Sequence, residues 1–171
     1  MRLFVAVPIP EDIRSRVAAL AGELPLEGIK PVSKEIMHIT LKFIGETNRE
    51  KEIEEKLRKV VFSPFECNAT GVGVFPSPSY IKVVWAGIES NGALEALASQ
   101  VNGLLHGFGD ERFSPHMTIA RVKKKIDASA FLQKHAKEEF GKFTVSHFEL
   151  MQSVLQKGGP EYSVLAKFEA K

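Results

Sequence analysis

Cysteine is nearly absent from this chain: Cys67 is the single one among 171 residues. One cysteine excludes an intramolecular disulfide framework and any cysteine-rich zinc module, and it is typical of a reducing compartment. Long apolar runs are also missing, since none approaches the roughly 20 residues that a membrane-spanning helix needs. The short apolar stretch at residues 3–9 is followed at once by charged residues, which favours a strand over a secretory signal. We therefore expect a soluble, cytoplasmic protein with no membrane partner.

The chain also lacks a strong charge of one sign. Lysine and arginine number 23 against 21 aspartate and glutamate residues, which leaves a formal net charge of +2. This excess is too small for a protein that holds long duplexes by phosphate neutralisation alone, but it is compatible with a short or single phosphorylated end. Apolar residues make up 44% of the chain and charged residues 26%, a composition that excludes disorder and indicates one globular unit with a sizeable core.

Segments with strand patterns alternate with segments of helical period along the chain. The predicted strands are residues 3–7, about 36–44, 65–75, 81–88, 116–122, the alternating run 142–156, and 162–168. Helices are predicted to start at Pro10, at Thr47 or Asn48, at Asn91-Gly92, and at Asp127 or Ser129. Pro64 is expected to end the second helix, and Gly141 to separate the fourth from the strand that follows it. The coarse order is βαβαβ, then βαβαββ.

The second half of the chain repeats the first. A shift of 78 residues superposes His38 on His116 and Thr40 on Thr118, at equivalent places in equivalent elements. Two similar lobes are therefore predicted. Because strands lead and follow each helix, each lobe is expected to be a sheet with helices on one face. The bare faces must then cover each other or line a cleft, where chemistry is expected.

Each matched segment places a histidine and a threonine on one face of a strand, since residues two apart share a face. If a pseudo-twofold axis brings the pairs together, two groups that titrate near neutrality flank two hydroxyl donors. One neutral imidazole can take a proton from water while a protonated one gives a proton to the leaving oxygen. The hydroxyls can hold the non-bridging oxygens of a phosphate. This pattern predicts in-line attack at phosphorus with no metal.

Two other interpretations compete with this one. A single His-x-Thr in a strand is more often a half-buried structural pair than a catalytic one, but two copies at matching offsets favour catalysis. Metal binding is the weaker functional option, because each strand supplies one ligand and no Cys, second His or nearby carboxylate completes a zinc-like set. We therefore predict no metal site and no cofactor.

The flanks of both pairs carry a family resemblance that covers the whole chain. Its segments are Phe4-Val-Ala-Val7, His38-Ile-Thr-Leu-Lys-Phe-Ile-Gly45, Val84-Trp85-Ala-Gly87, Phe113-Ser-Pro-His-Met-Thr-Ile-Ala-Arg121 and Gly159-Pro-Glu-Tyr162. With them the chain resembles the two-histidine (2H) phosphoesterases, and within these the bacterial and archaeal RNA 2′,3′-cyclic phosphodiesterases, historically called 2′-5′ RNA ligases.

The resemblance implies an α+β, bilobal, pseudo-twofold duplicated fold. Each lobe would be an antiparallel-rich sheet with two helices on its outer face, and both motifs would face a central groove. A single domain, residues 1–171, would consist of lobes at about 1–78 and 79–171, with terminal strands open to exchange between them.

For function, the resemblance implies metal-independent hydrolysis of an RNA 2′,3′-cyclic phosphate end to a 2′-phosphomonoester. His38 is expected to act as general acid and His116 as general base, with Thr40 and Thr118 on the phosphate. Reversible 2′-5′ RNA joining and noncatalytic RNA-end binding are the alternatives. The expected partners are RNA ends or small nucleotides with a cyclic phosphate, tRNA halves among them, and the expected state is a monomer.

Arg121 resembles the phosphate-contacting arginine of the family. Strict alternation puts it on the face opposite His116, so it reaches the groove only if the strand bulges or ends near Ala120. A solvated surface arginine is the alternative.

Three further residues are weaker candidates for nucleotide binding. Lys42 has the parity of His38 and would reach an RNA backbone. Phe43 and Tyr162 are candidates to stack a terminal base, because stacking on aromatic rings tolerates every base.

Overall fold

Two antiparallel sheets form the frame of the protein in the computed structural model, which describes residues 1–109 and 112–171. The strands are β1 (Arg2–Pro8), β2 (Ile29–Pro31), β3 (His38–Glu46), β4 (Phe65–Ser77), β5 (Tyr80–Glu89), β6 (His116–Val122), β7 (Glu139–Val145), β8 (His147–Gln156) and β9 (Gly159–Glu169). The α-helices are α1 (Glu11–Ala19), α2 (Glu50–Leu57), α3 (Ala93–Leu104) and α4 (Ser129–His135). Within the described ranges, no helix has the length and apolar character needed to cross a bilayer.

The two sheets repeat one strand order. The four-stranded sheet runs β3-β1-β8-β9, and the five-stranded sheet runs β2-β6-β5-β4-β7. Without the short edge strand β2, the orders correspond strand for strand, so that β3 matches β6 and β1 matches β5. The sheets do not follow the halves of the chain, because β4 of the first half lies in the five-stranded sheet while β8 and β9 lie in the four-stranded one.

Two helices cover each sheet. Helix α3 packs on β3 and α2 packs on α3, whereas α1 contacts β7 and α4 contacts β4. Buried apolar side chains at helical spacing explain the packing: Ile13 and Val17 of α1 are 1% or less exposed, and so are Leu97 and Val101 of α3. Each such side chain contributes roughly 1.5–3 kcal/mol on burial. The predicted α+β duplicated architecture is therefore confirmed.

The predicted strand at residues 142–156 is wrong in one respect, because it is two strands. Ser146 separates β7 from β8, and these strands belong to different sheets. Gly141 does not precede the run but lies inside β7, with φ of +136°. A Cβ there would come within 3.1 Å of the Ile13 side chain, so the glycine lets α1 approach the strand.

Helix α2 is shorter than predicted at both ends. Arg49 occupies its N-cap, and the Thr47 hydroxyl, two residues earlier, accepts a hydrogen bond from the Arg49 backbone N–H at 3.1 Å. The helix ends at Leu57 rather than at Pro64. The next backbone N–H groups, of Lys59 and Val60, bond to carbonyls three residues back, which tightens the last turn and ends the helix. Strand β2 was not predicted, since three residues ending in proline carry too little pattern.

Candidate active site

A groove of about 1040 Å³ lies where β3 meets β6. His38, Thr40, His116 and Thr118 all line it. The four side chains come from β3, an edge strand of one sheet, and from β6, which lies next to the short edge strand β2 in the other sheet and contacts β3. The structure thus places together the two pairs that lie 78 residues apart along the chain.

The two imidazoles are held by the same local contact. His38 donates from Nδ1 to the Ile36 carbonyl at 2.7 Å, and His116 donates from Nδ1 to the Ser114 carbonyl at 2.7 Å. A carbonyl only accepts, so Nδ1 carries the proton in both rings. The atom that gains or loses a proton is therefore Nε2 in each ring, as proton transfer to a bound phosphate requires.

The two Nε2 atoms differ in their surroundings. Nε2 of His38 lies 2.8 Å from Thr40 Oγ1, so the threonine hydroxyl donates to the neutral ring. Within residues 1–109 and 112–171, Nε2 of His116 has no protein hydrogen-bond partner. The Thr118 hydroxyl therefore does not donate to His116 as the Thr40 hydroxyl donates to His38. The His116 nitrogen is the one left open to take a proton from a small molecule in the groove.

Burial lowers the pKa of both histidines. For His38 the pKa falls from 6.5 to about 4; desolvation dominates, the Ile36 carbonyl opposes it, and the charge of His116 adds to it. For His116 the pKa is also lowered, again chiefly by desolvation, with the Ser114 carbonyl opposing and the Arg121 guanidinium adding to the effect. Both rings are therefore predominantly neutral at pH 7, and a bound anion favours their protonated forms.

Aromatic side chains hold the ring of His38. Phe4 stacks on it with centroids 4.9 Å apart, and Tyr162 meets it edge-on at 5.4 Å. Both aromatic residues line the groove, so Tyr162 lies where the sequence predicted it. Burial also raises the pKa of the Tyr162 phenol, although Arg121 and Arg2 oppose that change.

A second aromatic group supports His116. Phe75 and His116 make an edge-to-face contact with ring centroids 5.2 Å apart, and the centroids of the Trp85 and His116 rings are 6.3 Å apart. Gly73 makes room for the indole, because a Cβ at this position would overlap its six-membered ring. The positioning role of Phe75 and Trp85 was not foreseen, since it arises from pairing between strands.

A β-bulge directly follows the threonine in each of the two histidine strands. In β3, Thr40 and Lys42 pair with successive residues of β1, which leaves Leu41 as the extra residue. In β6, the same pattern against β5 leaves Ile119 as the extra residue. These two positions are again 78 residues apart. Each bulge reverses which face the following side chains occupy.

The bulges bring Phe43 and Arg121 onto the groove face. Both line the groove, and Phe43 is 44% exposed there with the Arg2 guanidinium 5.7 Å above its ring centre. The bulge that Arg121 needs to reach the groove is therefore present. Phe43 and Arg121 occupy equivalent positions in the repeat, so the duplicated strands present a ring on one side and a cation on the other.

The prediction for Lys42 is wrong. Its side chain is 1% exposed and does not line the groove; instead, Nζ donates to Asn102 Oδ1 of α3 at 2.9 Å. The bulge at Leu41 is the physical reason, because it turns Lys42 to the helix side of the sheet. Counting alternate residues from His38 does not reveal this change.

Four charged residues of the groove were not predicted as site residues. Arg2 and Lys30 add positive charge, and Glu35 and Glu161 add negative charge. The Ser33 hydroxyl hydrogen-bonds to the Glu35 carboxylate, and this bond is the main reason that the pKa of Glu35 is lowered. In the part of the chain that the structure describes, no group of three His, Cys, Asp or Glu side chains is arranged to hold a metal ion.

Comparisons with known proteins identify the family of this chain. The model of the 2′-5′ RNA ligase superfamily matches residues 9–156. An RNA 2′,3′-cyclic phosphodiesterase of Archaeoglobus fulgidus is 42% identical over 99% of this chain and 100% of its own length. The protein of the same name from Methanocaldococcus jannaschii is 36% identical over 98% of this chain and 100% of its own.

Solved structures share the fold. A Thermus thermophilus protein superposes with a TM-score of 0.80 at 32% identity, over 99% of this chain and 97% of its own. The Escherichia coli protein LigT, in a crystal structure complexed with phosphate, superposes with a TM-score of 0.79 at 25% identity, over 99% and 97% of the two chains.

Proposed function

Since this chain belongs to the 2′-5′ RNA ligase superfamily, we propose that it hydrolyses RNA 2′,3′-cyclic phosphate ends to 2′-phosphomonoesters. General acid–base catalysis between His38 and His116 would carry the reaction. The observation that supports this proposal is the shared groove, in which both rings are held through Nδ1 and keep Nε2 for proton transfer. The full-length likeness to two relatives named RNA 2′,3′-cyclic phosphodiesterase supports the substrate class.

The proposed reaction needs one base and one acid. Nε2 of His116 takes a proton from water, the water oxygen forms a bond to phosphorus, and the bond from phosphorus to O3′ breaks. Nε2 of His38 gives its proton to the departing O3′. The open Nε2 of His116 and the hydrogen-bonded Nε2 of His38 support this direction.

The acid role requires a protonated His38, whereas burial lowers the pKa of this ring to about 4. A cyclic phosphate carries one negative charge, and an anion close to the ring raises its pKa. Protonation of Nε2 also releases the Thr40 hydroxyl, which then no longer donates to the ring and can donate to a phosphate oxygen. Thr40, Thr118 and Arg121 would hold the non-bridging oxygens while charge develops on them.

The test is hydrolysis of a dinucleotide that ends in a 2′,3′-cyclic phosphate, in the presence of EDTA. Wild-type protein should hydrolyse the substrate, and His38→Asn and His116→Asn should each lower the rate by a factor of about 10²–10⁴. His147→Asn is the matched control, because His147 lies on β8 and does not line the groove. Undiminished activity in either groove variant would refute the mechanism, and tight binding without turnover would support a noncatalytic RNA-end binder instead.

Joining is the reverse of this chemistry, and the same two histidines can transfer protons in both directions. We propose that hydrolysis dominates, because water in an open groove outcompetes a second RNA end at ordinary concentrations. The ratio of joining to hydrolysis on tRNA halves measures this balance.

Three finer statements belong to the same proposal. tRNA halves are substrates, the protein works as a monomer, and it works in the cytoplasm, where the single Cys67 stays reduced. Assays on tRNA halves, sedimentation of the purified protein and localisation of the tagged full chain test them in turn.

A further inference from the structure

Two cationic side chains face each other across the edge of the five-stranded sheet. Lys30 of β2 pairs directly with Arg121 of β6, and both line the groove. Directly paired residues lie about 4.5–5.5 Å apart at Cα and project from the same face of the sheet. The bulge in β6 is what turns Arg121 to this face.

The position of Lys30 is fixed by its neighbours. Ile29 is 3% exposed, and the backbone N–H of Val32 donates to the Ile119 carbonyl at 2.9 Å. Lys30 therefore stands between a buried side chain and a backbone hydrogen bond to β6. Its backbone is in register with Arg121.

Like charges in direct cross-strand register are unfavourable unless an anion lies between them. Among residues 1–109 and 112–171, neither Lys30 nor Arg121 has an acidic side chain within ion-pair distance. Glu35, which lines the same wall, accepts a hydrogen bond from Ser33 instead. The pair is thus a site of positive charge without a protein counter-ion in the described structure, open to the groove that holds the reacting phosphate.

We propose that Lys30 and Arg121 form a second anion subsite, which binds the phosphate on the 5′ oxygen of the terminal nucleoside. This inference rests on the proposed function. At a cyclic RNA end, bases and ribose are uncharged, so the 5′ phosphate is the one further anion that the terminal nucleoside carries. Arg121 would stand between the two phosphates, and Lys30, one strand further out, would serve the second alone. RNA ends and 5′-phosphorylated nucleotides are therefore preferred over nucleoside cyclic phosphates.

Equilibrium binding tests the subsite without any need for turnover. The two probes are adenosine 2′-monophosphate and adenosine 2′,5′-bisphosphate, which differ only in the second phosphate. Wild-type protein should bind the bisphosphate roughly tenfold more tightly, the usual contribution of one charge-assisted hydrogen bond. Lys30→Ala should abolish most of that ratio, and Lys30→Arg should retain it. Lys125→Ala, an exposed lysine outside the groove, is the control.

Two results would overturn the subsite. One is equal affinity of the wild-type protein for both probes. The other is a Lys30→Ala variant that weakens both probes equally, which would mean that Lys30 serves the reacting phosphate or the fold.

Turnover separates this inference from the proposed function. Lys30→Ala should raise KM for a cyclic dinucleotide roughly tenfold more than it raises KM for adenosine 2′,3′-cyclic phosphate. The salt dependence of kcat/KM for the dinucleotide should lose about 0.7 of its logarithmic slope, the amount for one contact to a single strand. If no substrate is hydrolysed but the binding ratios hold, the subsite stands and the proposed function fails.

Discussion

Acidification should destabilise this protein through His38. Folding lowers the pKa of the ring from 6.5 to about 4, so between these values the unfolded chain binds a proton that the folded protein does not. Stability is unaffected above pH 6.5, where the ring is neutral in both states. It falls as the pH drops from 6.5 towards 4, where the folded ring also becomes protonated.

The magnitude follows from the two pKa values. At pH 5 the proton-linked loss from a full shift is about 2 kcal/mol of unfolding free energy. The ring is partly exposed to the groove, so about 1–2 kcal/mol is the expected range after allowance for solvent screening.

Urea unfolding at pH 7 and pH 5 measures this loss. His38→Asn serves as the reference, because Asn cannot titrate and can still donate to the Ile36 carbonyl. The carboxylates that titrate in both proteins cancel in the comparison. Wild-type protein should lose about 1–2 kcal/mol more than the variant between the two pH values.

Nuclear magnetic resonance of the His38 ring gives the independent check. The ring should titrate near pH 4 in the free protein and at higher pH with saturating inorganic phosphate. A ring that titrates at pH 6 or above in the free protein, or equal acid losses in wild-type and variant, would refute the burial argument.

Two further changes test the packing on each side of the site. Gly73→Ala should push the Trp85 indole away from His116 and lower kcat/KM at least tenfold. Gly22→Ala is the control and should leave kcat/KM unchanged, because no heavy atom lies within 4 Å of the added Cβ. Equal rates for both variants would contradict the supporting role of Trp85. His135→Ala removes a ring that is 2% exposed and hydrogen-bonded to the carboxylates of Glu23 and Glu138. Denaturant unfolding should show a loss of about 2 kcal/mol with activity intact, and a loss below 0.5 kcal/mol would contradict that expectation.

The resemblance to the family and the duplicated architecture could be predicted from the sequence because they rest on local signals. Paired His-x-Thr segments with matching flanks need no knowledge of strand pairing. Strand and helix periods likewise depend on neighbours along the chain. Family membership is confirmed by the comparisons.

The bulges could not be predicted in this way. Whether Lys42 or Phe43 faces the groove depends on where β3 slips against β1, which is a property of two strands and not of one. The adjacent buried residues Ile119 and Ala120 are a local trace of the slip in β6. Applied through the repeat, that trace would have placed Lys42 outside the groove and agreed with the prediction for Phe43.

Sheet membership was also beyond local reasoning. The run 142–156 alternates almost without interruption, yet Ser146 divides it between two sheets. That division depends on contacts with β4 and β1, which lie far away along the chain.

In the proposed reaction, the two Nε2 atoms act on one phosphorus atom. A crystal structure with adenosine 2′-monophosphate bound would show whether they do. We expect Nε2 of His38 and Nε2 of His116 each within about 3 Å of oxygens on the same phosphate, the reach of proton transfer. A phosphate that contacts one ring while the other remains beyond hydrogen-bond distance would contradict it.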